Sequence, residues 1–259
     1  MKKTLSILSA LCILLLSLSL AGCGSKEAAN DQGKADMSNT LVYAGESEST
    51  INPLLNNHEE LPDIIFSGLM KYDANGKPIP DLAESYDYDE AANTYTFHLR
   101  HDVKWHDGKD FTADDVVYTY KELTEDKTLA SSITSNYEDI TSVTAPDPYT
   151  VVIALKQYDA AMLDYFTMGI LPKHLLEGKD VNTDAFNQHP IGTGRYKFVS
   201  WDTAGGMITL ERNADYYDKV PNIERIVYKT VSNETTKAAM LQSGEADLAE
   251  LQVCSKVPG

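Results

Sequence analysis

Cysteine is almost missing from this chain. Three stand in 259 residues: Cys12, Cys23 and Cys254. The first two belong to the N-terminal end described below. Cys254 alone is left for the folded part, which excludes an intramolecular disulfide and any Cys-based zinc motif. Stability must come from a buried core. About 220 residues follow position 39, enough for one large domain or two lobes. Positive charge is also scarce. Lys and Arg number 22 against 39 Asp and Glu, a formal net charge of −17. That balance argues against nucleic acid as a partner and against anionic lipid headgroups. The nucleotide-binding pattern G-x-x-x-x-G-K-[ST], the nucleophile elbow G-x-S-x-G and the metalloprotease pattern H-E-x-x-H are all absent. No internal repeat is present.

Long apolar runs are rare too, and the one that exists is informative. Lys2 and Lys3 precede an almost unbroken apolar stretch over residues 5–20, followed by Leu20-Ala21-Gly22-Cys23. A charged start, an apolar middle and small residues before a cut describe an export signal. The Leu-Ala-Gly-Cys ending resembles the bacterial lipobox, in which the Cys thiol carries a diacylglyceryl group. The expectation is a signal peptide over 1–22, lipidation at Cys23, and a protein on the outer face of the bacterial cytoplasmic membrane, on its periplasmic or extracellular side. Two acyl chains hold where one is marginal. An uncleaved transmembrane anchor is the competing reading, but the run is marginal in length for a span. Residues 23–39, small and polar, read as a flexible tether.

From Thr40 the patterns alternate between strand and helix. Leu41-Val42-Tyr43-Ala44 reads as a buried strand. Leu61, Ile64, Ile65 and Leu69 recur at helical spacing, with Pro62 in the first turn. Residues 86–100 read as a hairpin whose second strand buries Tyr95, Phe97 and Leu99 and turns Thr96, His98 and Arg100 outward. Thr112 reads as an N-cap, with Asp115 three residues on and Val116, Tyr120 and Leu123 on one helical face. A second hairpin over 140–155 turns at Pro146-Asp147-Pro148. Short helices are predicted over 159–166 and from about 172. A Gly-rich turn at 190–194 leads into strands at 195–199, 207–211 and 223–231. A helix over 235–242 stops at Gly244, and a further strand starts near Leu248. Without strict βαβ alternation, the class is mixed α and β.

Residues 98–115, HLRHDVKWHDGKDFTADD, hold three histidines and five aspartates and invite a metal or catalytic reading. The spacing speaks against it. His98 and His101 have opposite strand parity, and His106 lies in a turn before Gly108. No helical i, i+4 pair and no finger spacing is present. Asp107-Gly108 is a turn, and Asp114 and Asp115 belong to a helix start. Trp105 is expected to be scaffold, buried between the strand ending at Arg100 and the helix beginning at Thr112.

The same stretch carries a resemblance. Ala83-Glu84-Ser85-Tyr86, Tyr95-Thr96-Phe97-His98-Leu99-Arg100, Val103-Lys104-Trp105-His106-Asp107-Gly108 and Phe111-Thr112-Ala113-Asp114-Asp115-Val116 closely resemble the signature of the extracellular solute-binding proteins that serve oligopeptide, dipeptide and nickel ABC importers. Four further pieces follow suit in order: Leu41-Val42-Tyr43 to Ile51-Asn52-Pro53; Ile170-Leu171-Pro172-Lys173-His174; Pro190-Ile191-Gly192-Thr193-Gly194-Arg195-Tyr196; and Arg212-Asn213 through Tyr216-Tyr217 to Gly244-Glu245-Ala246-Asp247. The family turn usually reads Gly-Thr-Gly-Pro-Tyr; Arg195 replaces its Pro.

The resemblance implies a mixed α/β fold, the first lobe of a type II periplasmic-binding-protein architecture with an inserted α+β domain. Residues 40–77 and 190–253 would form the first lobe and 78–189 the insert, with 254–259 unplaced and the second lobe missing. It implies a lipid-anchored solute receptor that captures small peptides and hands them to ABC permease subunits, with no catalytic residue, metal or cofactor. One wall of a ligand cleft is then expected from the loop Glu46, Ser47, Glu48 and Ser49, from Asn136 and Tyr137, and from Thr167, Met168 and Gly169. Glu46 and Glu48 would meet a peptide amine. A nickel chelate or other oligomer as the ligand stays open, as do a surface metal-dependent hydrolase and a non-functional truncated fragment.

Overall fold

The computed structural model describes residues 39–55 and 60–251. The signal peptide, Cys23, nearly all of the tether, Cys254 and the unplaced tail lie outside the described residues.

The chain builds two main sheets. β1 (Thr40–Gly45) opens the first. After a loop, α1 (Pro62–Ile65) makes a single turn, and β2 (Met70–Tyr72) and β3 (Pro78–Pro80) pair as a small ribbon. β4 (Ala83–Asp89) and β5 (Thr94–Leu99) form a hairpin, followed by α2 (Ala113–Glu125). A second hairpin joins β6 (Ile140–Asp147) to β7 (Thr150–Leu155), and two short helices follow, α3 (Met162–Tyr165) and α4 (Lys173–Leu176). β8 (Tyr196–Asp202), β9 (Met207–Arg212), β10 (Arg225–Thr230), α5 (Glu234–Ser243) and β11 (Leu248–Ala249) complete the order.

The first sheet runs β11-β1-β10-β9-β8, so residues from both ends of the described chain meet in it. β1 lies parallel to both β10 and β11, whereas β10, β9 and β8 alternate in direction. The second sheet, β4-β5-β7-β6, is antiparallel throughout and comes entirely from the middle of the chain.

The second sheet follows the binary pattern of its sequence. Tyr95, Phe97 and Leu99 are buried and His98 is exposed, as period 2 requires when one face meets a core. Against that face pack aromatic rings at favourable offsets. Phe166 stands edge-on to Phe97, Tyr95 and Tyr120 at centroid distances of 5.0, 5.4 and 5.8 Å. α2 starts where expected: the Thr112 N–H donates to the Asp115 carboxylate at 3.0 Å. That carboxylate also accepts from the Lys173 N–H at 3.0 Å, at the start of α4, and from the Trp105 indole at 3.3 Å. One buried side chain thus serves two helix starts and locks the Trp105 ring. Burial raises the Asp115 pKa, and these donors oppose the rise. Trp105 is 2% exposed and sits edge-on to Phe111. At the far end, the Asn233 side chain caps α5 by accepting from Thr236 N–H at 3.0 Å, and Gly244 closes it at φ 75°.

Three expectations need adjustment. Leu69 is not helical. α1 ends at Ile65 because Phe66 turns extended, and the following backbone is taken up elsewhere: Ser67 O accepts from Ile170 N–H and Leu69 O from Asp81 N–H. These strand-like bonds outcompete a helix of one turn. The helix expected over 159–166 shrinks to α3, because the Asp159 side chain takes the Ala161 N–H and makes a turn first. The second hairpin turns about one residue later than expected, with Asp147 still in β6 and its carboxylate accepting the Tyr149 N–H.

The middle of the chain is fastened to the first sheet at the turn 192–194. His106 N–H donates to Gly192 O at 2.8 Å. Its ring takes the Gly192 N–H at Nδ1, 3.2 Å, and meets Gly194 O at Nε2, 2.9 Å. That pairing needs a neutral ring with its proton on Nε2. Burial pushes the His106 imidazole down to about 4, in agreement. The turn lies so close to α1 that a Cβ at Gly192 would fall 1.8 Å from Ile65 O. Glycine is required there by contact.

The three histidines of 98–115 go to three places. His98 meets Asp87 at 3.2 Å, His101 stacks on Tyr149 at 3.8 Å, and His106 holds the turn.

Candidate ligand cavity

A cavity of about 430 Å³ lies against α1 and α3, bordered by segments 66–72, 133–137 and 164–169 and by the turn at 194–195. Its size falls within the range of small-molecule sites. Five of the residues expected at a cleft wall border it together: Asn136, Tyr137, Thr167, Met168 and Gly169. They come from separate loops brought together by packing. Tyr137 is buried, and its hydroxyl donates to Tyr165 O at 2.8 Å. The Thr167 hydroxyl is tied back to Asp164 O at 2.6 Å. Tyr137 therefore offers the cavity a ring whose hydroxyl is already engaged. Met168 is half-buried and packed on the core, with a flexible thioether suited to irregular shapes.

The loop after β1 is placed elsewhere. Glu46, Ser47 and Glu48 do not border this cavity. Glu46 pairs with Lys237 of α5, which also meets Glu234 at 3.2 Å. The Lys237 side chain is 1% exposed. Burial pulls its ammonium down, but the bonds to Glu46 and Glu234 more than offset this and raise it. Glu48 is buried and accepts from the Tyr228 hydroxyl at 3.3 Å. Burial, with Glu48 beside it, pushes the Tyr228 phenol upward. These carboxylates stand at the C-terminal ends of parallel strands, where α/β folds place ligands, yet both already have partners. Ser47 is exposed. Ser49 borders a second cavity of about 420 Å³ with Thr50, Leu55, Ala130 and residues 182–188. The structure thus divides the nine expected residues between different places.

Residues that the sequence did not assign to a cleft wall also border the first cavity: Ser67, Lys71, Asp81, Arg195 and Tyr216. Asp81 is the most constrained. Lys71 Nζ lies 3.1 Å from it, and the Tyr217 hydroxyl stands between it, at 3.0 Å, and Ser67 Oγ, at 2.9 Å. Burial raises the Asp81 pKa, with Lys71 and Tyr217 pulling the other way. Lys71 also holds Asp218 at 2.7 Å. Nothing local marks Asp81 or Lys71, since their partners lie up to 147 residues away. Arg195 was visible as a departure from the family turn, and its place at the cavity was not.

Among the described residues no group of three or more His, Cys, Asp or Glu could hold a metal ion, and no helix is long and apolar enough to cross a membrane.

Comparison with known proteins places this geometry. The model for the bacterial extracellular solute-binding proteins, family 5, matches residues 77–255. The oligopeptide-binding protein AppA of Bacillus subtilis is 33% identical over 251 residues, covering 93% of this chain and 46% of that protein. The crystal structure of NikZ from Campylobacter jejuni in complex with Ni(L-His) superposes with a TM-score of 0.78 at 41% identity, over 83% of this chain and 44% of that one. The structure of AppA with a nonapeptide gives a TM-score of 0.74 at 32% identity, over 80% and 43%. The chain spans about half the length of the curated relatives it matches. The fold is that of the type II periplasmic binding proteins, and the chain belongs to the bacterial extracellular solute-binding proteins, family 5.

Proposed function

We propose that this protein is the solute-capturing component of an ABC importer, a binding protein rather than an enzyme, and that it takes short peptides. The family match over residues 77–255 carries the reading. The relatives that resemble it over most of its length include an oligopeptide-binding protein. The cavity bordered by Asn136, Tyr137, Thr167, Met168 and Gly169 is the site we assign to the solute. In this reading residues 40–77 and 190–253 form the first lobe and 78–189 the insert. Closure over the ligand is a hinge motion against a second lobe, and permease subunits are the partners. Titration calorimetry with short peptides tests it. A measurable heat of binding on a one-to-one isotherm supports it, and absence of binding to any peptide sinks it.

A nickel chelate is the second reading, favoured by the 41% identity to NikZ seen with Ni(L-His). Nickel with L-histidine in the same calorimeter decides between them.

The export signal and the Leu-Ala-Gly-Cys ending support a lipid anchor at Cys23 and residence on the outer face of the membrane. Cys23→Ala should shift the protein from the membrane pellet to the soluble fraction. Retention in the pellet would mean an uncleaved anchor.

A further inference from the structure

We propose that Arg195 is the carboxylate-reading residue of the cavity, so that the preferred solute is zwitterionic, with its free carboxylate on this guanidinium. The inference rests on the solute-binding reading above and adds a ligand chemistry to it.

Arg195 is exposed and borders the cavity. Among the described residues its guanidinium takes part in no hydrogen bond or ion pair. The other cation at the cavity, Lys71, is already held between Asp81 at 3.1 Å and Asp218 at 2.7 Å. Asp81, the buried carboxylate near Arg195, is in turn satisfied by Lys71 and the Tyr217 hydroxyl. The guanidinium therefore faces the cavity with its donors unspent, and its planar fork matches a carboxylate in two parallel bonds.

The backbone beneath it is fixed. Arg195 O accepts from Asn213 N–H at 2.9 Å, and Gly194 O from the Asn213 side chain at 3.1 Å. Gly194 N–H donates to Ile65 O at 2.8 Å, and His106 grips the same turn. The held backbone fixes where the side chain starts, while the exposed guanidinium is ordered only when a ligand engages it. The rest of the ligand is limited by charge. Asp63, Asp81 and Asp164 also border the cavity, so a second anionic group would be repelled and a free amine tolerated. One carboxylate and one amine describe a short peptide or an amino acid.

The test titrates the 259-residue chain by calorimetry with trialanine, with trialanine amide and with Ni(II)–L-histidine, in wild-type, Arg195→Gln and Arg195→Lys forms. The free acid should bind wild type at least tenfold tighter than the amide. Arg195→Gln should abolish that preference and Arg195→Lys should keep part of it. Circular dichroism of both variants should match wild type. Equal binding of acid and amide by wild type, or an acid preference that survives in Arg195→Gln, would overturn the inference, leave the solute-binding reading standing and make Arg195 an ordinary surface arginine. Failure of wild type to bind any of the three solutes would overturn both.

Discussion

The stretch over residues 98–115 and the loops over 133–137 and 164–169 make an instructive pair. The first is crowded with ionisable side chains and does structural work throughout. The second is chemically plain and borders the cavity. In 98–115, His106 ties down a turn, Asp115 serves two helix starts, and Trp105 fills the core. Asn136, Thr167 and Met168 carry no charge, but they come together from separate loops around an open space. Density of reactive residues along a chain is therefore a poor guide to function when each finds a partner inside the fold.

Trp105→Ala is the strongest attempt to break the comparison. Truncating a buried Trp costs about 3–5 kcal/mol, a large share of a domain's stability. The variant should melt lower or express poorly, while solute affinity per folded molecule is unchanged. Normal melting with lost affinity would move this ring, and the stretch with it, to the binding side.

Acid titration probes the same stretch with a somewhat smaller effect. His106 is neutral in the fold, with its pKa held near 4 by burial, and ordinary when unfolded. The unfolded chain therefore takes up the proton first. Stability from this group is complete above about pH 6.5 and is lost as pH falls toward 4, by about 3 kcal/mol in all. Urea denaturation at stepped pH should show this loss, and His106→Gln should flatten that part of the profile. An identical pH profile in the variant would mean that the ring is not held neutral.

Met168→Ala sharpens the other side. It should weaken solute binding several-fold at a stability cost under about 2 kcal/mol, because the side chain is only half-buried. His98→Ala is the smallest change. Its ring is exposed and paired only with exposed Asp87, so stability should move by no more than about 0.5 kcal/mol. Solute affinity should not move at all.

How much of this was legible in advance depends on the range of the interaction. β1, β5, α2 and α5 follow from local signals: the apolar run 41–44, alternation in 95–99, Asp115 three residues after Thr112 and Gly244 after α5. α1 and α3 were overestimated because helical spacing was read without the long-range backbone bonds that end them. At the cavity, segments 136–137 and 167–169 were legible through the family resemblance. Asp81, Lys71 and Tyr216 were not, since their environment is made by residues far away in the chain. Glu46 and Glu48 looked available as loop carboxylates because Lys237 and Tyr228, their partners, are about 180–190 residues on.

The sequence by itself determined what is periodic and local: the class of fold, most strands, both capped helices, the shortage of cysteine and the excess of acid. Its spacing also spoke against convergence of His98, His101 and His106, although β5 ends at Leu99 and the three are separated by their partners, Asp87, Tyr149 and the turn at 192–194. Only the tertiary structure decided which charges are spent and which are open. Whether a carboxylate or guanidinium is free depends on what packs beside it, and burial makes partners across the chain mandatory for polar groups. Lys237 and Lys71 are consumed in that way. Arg195, three residues after the contact glycine Gly192, is left bordering the cavity.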